Sequence, residues 1–167
     1  MSEEVIELLE AEWAQVAELI DGLTEAEWKT PVPLPGWTVQ DCVAHMSGTE
    51  LSLMGEPAEP VDLSHLAWVT SPFQEFVEIW IEPRRSWSGE KIAEEFHATV
   101  ERRLAALRAM APEEFDVVGW SPLGEQPYRT FMRVRIFDCW MHEQDMRRGL
   151  QRPGHTDSPV VDSALEN

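Results

Sequence analysis

Apolar residues return every three to four positions over most of the chain, the spacing of a buried helical face. Between residues 3 and 23, Val5, Leu8, Leu9, Trp13, Val16, Leu19, Ile20 and Leu23 form one stripe, with most acidic residues on the other face. Thr24 followed by Glu27 has the form of a capping box and opens a short turn. Pro31, Pro33 and Pro35 exclude regular structure until Gly36. Thr38 then caps a second long helix, with Asp41 in the capping-box position and Val39, Cys42, Val43, Met46 and Leu53 along it. That helix fades near Gly55. Residues 55–72, with Pro57, Pro60 and Pro72, read as a long crossover.

An apolar helix over 72–82 stops before Pro83, and a longer one runs from Ser88 to Met110 on Ile92, Phe96, Val100, Leu104 and Leu107. Residues 112–128 are poor in helix signals, and VVGW at 117–120 reads as a short extended piece. The helical pattern resumes over 129–148 with Phe131, Val134, Phe137, Trp140 and Met141, and Gly149 is the expected stop. Ser158 and Pro159 look like the cap and first residue of one more helix. Four substantial helices, one long connection and little strand predict an all-α four-helix bundle. Residues 1–155 are expected to form that bundle, and 156–167 to begin an element leading towards a further C-terminal domain.

Charge narrows the function classes. Thirteen basic against thirty-one acidic residues give a net charge of −18 among 167 residues. No nucleic acid and no anionic membrane surface is an expected partner, because both require a positive patch. With 43% hydrophobic residues the chain is too apolar for a disordered acidic tail. Two cysteines are too few for a disulfide scaffold, and MSEEVIELLE is acidic where a secretory leader is basic. The expected location is the cytoplasm.

Five histidines are present, and two lie within strong helices. His45 is on the second helix; His142 is on the last long one, four residues after Asp138 and on the same face. A carboxylate and an imidazole at that spacing, joined by a histidine from a facing helix, make three ligands and leave the fourth position of a catalytic zinc open. Cys42 and Cys139 each precede one of these histidines by three residues, so a closed Cys₂His₂ staple has equal support from spacing. An ordinary ion pair is the bland alternative.

The stretches PGWTVQDCVAH at 35–45 and RIFDCWMHEQD at 135–145, with the opening LxxxW helix, resemble the mycothiol-dependent maleylpyruvate isomerase family, within the DinB-like group of helical bundles. The resemblance implies His45, Asp138 and His142 as ligands of a divalent metal, usually zinc. The family often carries Glu where Asp138 stands, and its isomerases have a further C-terminal domain that contributes to the active site. It also implies mycothiol as a thiol cosubstrate and an electrophilic small molecule as substrate, in isomerisation or S-transfer. A homodimer is compatible with it. Alternatives are a DinB-like metal hydrolase and a non-catalytic helical module with a structural metal or ion-pair cluster. Arg84 and Arg135 are expected to meet a substrate carboxylate. Trp37 and Trp140 are expected to wall the site, with Asp41 beside His45. His65, His97 and His155 have no partner pattern and read as surface or loop residues.

Overall fold

A computed structural model of the chain describes residues 2–166. Four long helices make the bundle: α1 (Ser2–Ile20), α3 (Val39–Leu53), α5 (Gly89–Ala109) and α6 (Tyr128–Leu150). The short α2 (Glu25–Trp28) sits between the first two, opened by the Thr24–Glu27 capping box. Around the bundle, α3 packs on α5 and α6, and α1 packs on α5 and α6. The crossover after α3 leads into α4 (Pro72–Ile81), which lies against α3. The last element, α7 (Pro159–Leu165), buries Val160, Val161 and Ala164, packing against α6 and α1. The all-α expectation holds.

On three helices the core is made by the stripes seen in the sequence: Leu9, Trp13 and Val16 from α1, Val39 and Val43 from α3, Ile92 and Phe96 from α5. On α6 the buried face is Phe131, Met132, Ile136 and Met146, whereas the expected Val134, Trp140 and Met141 are half-buried and Phe137 is exposed. α3 is enclosed almost all round. Besides its apolar residues it buries Gln40, Asp41, His45, Ser47 and Glu50. A helix that carries polar groups into the interior has to satisfy them there.

Two local differences have clear causes. α6 does not stop at Gly149 but runs to Leu150 and ends on Gln151, whose φ is 56°. Gly149 is instead a close-approach residue: a Cβ there would lie 2.8 Å from the Pro31 carbonyl oxygen. The extended piece near 117–120 proves to be β1 (Val118–Ser121), one half of a hairpin with β2 (Gly124–Pro127). The sequence GEQP of β2 has no apolar alternation, so the second strand left no periodic signal. The hairpin holds Trp120 out beside α4 and α6, with its ring 6.5 Å from Phe76 and 6.1 Å from Phe131. No helix among the described residues is long and apolar enough to cross a membrane.

Candidate metal centre

Helices α3 and α6 bring His45, Asp138 and His142 together. Their ligand-type atoms lie within 4.8 Å of one another. His45 Nε2 is 3.1 Å from Asp138 Oδ2, and His142 Nε2 is 3.6 Å from Asp138 Oδ1. The two imidazoles meet edge to face, their centroids 4.7 Å apart. Trp37 stacks on His142 at 5.4 Å and its indole Nε1 donates to Glu78 at 2.8 Å, which fixes that wall.

The charge states suit a cation. Burial pushes the His45 imidazole below its usual range, although Asp138 opposes this, so a neutral ring with an available lone pair is favoured. Burial by itself would raise the Asp138 carboxyl, but Arg135, His45 and His142 outweigh it and hold it well below the usual range. Two imidazoles and an ionised carboxylate, gathered around one point, are the donor set of an open zinc site. His142 Nδ1 is buried with no hydrogen-bond acceptor, the nearest carboxylate being Asp145 at 3.9 Å. The donor set fits a divalent ion.

Behind Asp138 stands a row of buried charges. Arg135 donates to Asp138 and, at 2.8 Å, to Glu50 Oε1. Glu50 Oε2 accepts from Arg103 of α5, also at 2.8 Å, and Arg103 reaches on to Tyr128. Glu50, Arg103 and Arg135 are each nearly sealed from solvent. The Asp138 carboxylate is therefore aimed by a network that spans three helices. The sequence suggested a substrate carboxylate for Arg135, which instead holds Asp138 and Glu50, and it gave no sign of Glu50 and Arg103, whose pairing is purely tertiary.

The other expected residues separate. Trp37 walls the site, whereas Trp140 donates to the His155 carbonyl and lines no part of it. Asp41 accepts from the Thr38 backbone and hydroxyl and faces Arg85, so it serves the helix cap. Arg84 does not come to the site. Its guanidinium is held by Glu95 and the Trp80 carbonyl, on a different cavity. Both cysteines are fully buried free thiols, pushed up by desolvation, and neither belongs to a ligand cluster among the described residues. The closed Cys₂His₂ arrangement is not gathered.

Residues of the crossover and α4 complete the cleft. Trp68 donates to the same Glu78 oxygen as Trp37, at 2.8 Å, and Arg85 holds the other oxygen at 2.7 Å. Trp68 also lies across Gly36, which has φ +78° and would place a Cβ 2.6 Å from the ring. With Leu34, Phe73, Gln74 and Val77 they surround a cavity of about 260 Å³ that has His45, Asp138 and His142 in its lining.

His155 departs from the surface assignment. Its ring is buried, with Nδ1 2.6 Å from Glu143 and Nε2 2.9 Å from Ser158 Oγ, the cap of α7. Glu12 completes this second cluster with both oxygens sealed and without a hydrogen bond, His155 Nδ1 standing 3.7 Å from its Oε2. Burial and the neighbouring Glu143 push the Glu12 carboxyl up to about 9, against the pull of Arg147. Because Arg147 already neutralises Glu143, a single proton on Glu12 satisfies the cluster. The folded pKa lies above the ordinary carboxylate value, so the native state keeps a proton that the unfolded chain has released. Stability is thus lost as pH rises from about 4.5 towards about 9. Glu12→Gln mimics the protonated acid and should gain stability over the wild type at high pH but not in mild acid. Denaturant midpoints at both ends of that window check it; an equal difference at the two ends would contradict a protonated Glu12.

Comparison with known proteins follows the same lines. The family model described as the mycothiol maleylpyruvate isomerase N-terminal domain matches residues 9–147. Among solved structures, the mycothiol-dependent maleylpyruvate isomerase superposes with a TM-score of 0.73 at 18% identity, over 99% of this chain and 67% of that one. Its histidine-to-alanine variant gives 0.70 at 17%, with the same coverage. The sibling lethal factor precursor DfsB gives 0.69 at 14%, over 88% of this chain and 93% of its own. At such identities the likeness is one of fold, the DinB-like helical bundle. No curated protein matches the sequence.

Proposed function

The chain belongs to the mycothiol maleylpyruvate isomerase N-terminal domain family, and on that premise we propose that it is a metal-dependent thiol enzyme with mycothiol as cosubstrate. The observation that carries the reading is the convergence of His45, Asp138 and His142 in the lining of one cleft. A divalent ion bound there, zinc by its donor set, would lower the pKa of a coordinated thiol and supply a thiolate at neutral pH.

The chain's own residues prepare that chemistry. Arg135 keeps Asp138 ionised and burial favours a neutral His45, so these two donors need lose no proton to take a cation. Trp37, fixed by Glu78, prevents His142 from turning away. Leu34, Phe73 and Val77 limit water around the reacting sulfur. In S-transfer the carbon–sulfur bond would form as the bond to a leaving group breaks; in isomerisation it would form and then break again, returning the thiol. The two free, buried cysteines are in keeping with a cytoplasmic enzyme.

Metal analysis tests this first. The purified protein should hold about one divalent ion per chain, the stoichiometry of one three-donor site. Chelation should lower the melting temperature by mass action yet leave the chain folded, since the bundle has its own core. Thiol-dependent turnover, read as thiol loss for S-transfer or as substrate isomerisation, should cease in the chelated protein and return with zinc. Complete unfolding on chelation would contradict the catalytic reading and favour a structural metal.

A further inference from the structure

The cleft has a second lobe. It shares His45, Phe73, Val77 and Asp138 with the first and extends beneath the hairpin, where Phe76, Trp120, Phe131 and Phe137 surround a space of about 160 Å³. An apolar cavity of about that size holds a single benzene ring. The aromatic rings are also open to solvent at its mouth: Trp120 is 63% exposed and Phe73 54%. Exposed rings gathered over a cavity mark a binding site more often than a packing fault.

The lobe offers an anion nothing. Apart from the histidines of the metal centre, Arg135 is the one basic side chain in either lining, and it is spent: its Nε is on Glu50, one Nη on Asp138 and the other on Cys139 Sγ. Arg84 faces Glu95 on another cavity. The carboxylate of Asp138 lines both lobes instead, within a chain of net charge −18. With the two charges of the bound ion met by Asp138 and the thiolate, a dicarboxylate would lose its hydration there and find no counter-charge.

We propose, resting on the thiol-enzyme reading, that this lobe binds an uncharged, ring-sized apolar electrophile and rejects dicarboxylates such as maleylpyruvate. With a neutral benzylic halide as electrophile, the thiol sulfur bonds to the benzylic carbon as the carbon–halogen bond breaks. The halide leaves with the electron pair, and the thiol proton passes to solvent. Polar side chains at the lobe, Thr49 and Ser52 of α3, are neutral and set no charge requirement.

Two unreactive probes of one ring size, p-xylene and terephthalate, separate the possibilities by ligand-observed NMR on the full chain. p-Xylene should bind, and terephthalate should bind at least about tenfold more weakly, a difference of about 1.4 kcal/mol. Trp120→Ala, at a side chain too exposed to hold the fold, should weaken p-xylene by about tenfold through lost ring contact. Ser52→Arg should bring terephthalate in. Terephthalate binding the wild type as well as p-xylene does, or p-xylene affinity indifferent to Trp120→Ala, would overturn the proposal. A separate assay follows thiol consumption with benzyl chloride and thiol-dependent isomerisation of maleylpyruvate, which returns the thiol. If neither reaction runs while p-xylene still binds through Trp120, the thiol reading fails and the apolar lobe stands.

Discussion

Glu50→Gln is expected to destabilise the protein by about 3–5 kcal/mol, the cost of breaking a buried ion network by removing one partner. The substitution keeps the shape of the side chain and removes only its charge. Arg103 and Arg135, both nearly sealed from water, would then face each other across a neutral amide. With a whole-domain stability of about 5–15 kcal/mol, such a loss brings the bundle close to unfolding at moderate temperature. The exposed pair Arg102–Glu56 is the control, since such surface pairs contribute about 0–1 kcal/mol. Denaturant midpoints of Glu50→Gln and Arg102→Ala measure the contrast. Equal, small losses would mean that the buried network does not hold α3, α5 and α6 together.

Asp138→Ala should spare the fold but abolish tight metal binding. Arg135 keeps Glu50 as a partner, so the interior retains most of its charge balance. The metal, however, loses its one anionic donor. Loss of a mere supporting partner around a metal costs 10–100-fold in affinity, so a direct ligand should cost more than about 100-fold. Thiol transfer should fall in step, because the thiolate depends on the ion. Asp138→Glu offers a rescue: the family pattern often carries Glu at this position, and the longer carboxylate should restore metal uptake. Metal titration of the chelated proteins reads both variants. Unchanged affinity in Asp138→Ala would assign Asp138 to an ion pair alone.

The helices were legible because their cause is local. Apolar stripes at helical spacing locate α1, α3, α5 and α6, and capping boxes at Thr24 and Thr38 set two starts. Spacing left Asp138 and Cys139 equally placed beside the two histidines; the set His45, Asp138 and His142 came from the family resemblance, and these are the side chains that the packing of α3 on α6 gathers. What was hidden depends on partners far along the chain. Glu50 gives no sign in sequence that it joins Arg103 and Arg135, which lie 53 and 85 residues away. His155 lacks any helical pattern, yet Glu143 and Ser158 bury it. Gly149 resembles a helix stop until Pro31 is seen against it. Trp120 and the lobe it closes depend on a hairpin whose second strand is polar.

Cobalt(II) substitution tests the ligand set most directly. Cobalt replaces zinc in mixed nitrogen, oxygen and sulfur sites, and a thiolate ligand gives it an intense near-ultraviolet charge-transfer band that carboxylate and imidazole do not. With His45, Asp138 and His142 as the protein ligands, the cobalt form should lack that band until a small thiol is added, and should then gain it. Cys42→Ser and Cys139→Ser should alter neither result. A band already present without added thiol, and lost in Cys139→Ser, would mean a closed site in which no position is vacant for the cosubstrate.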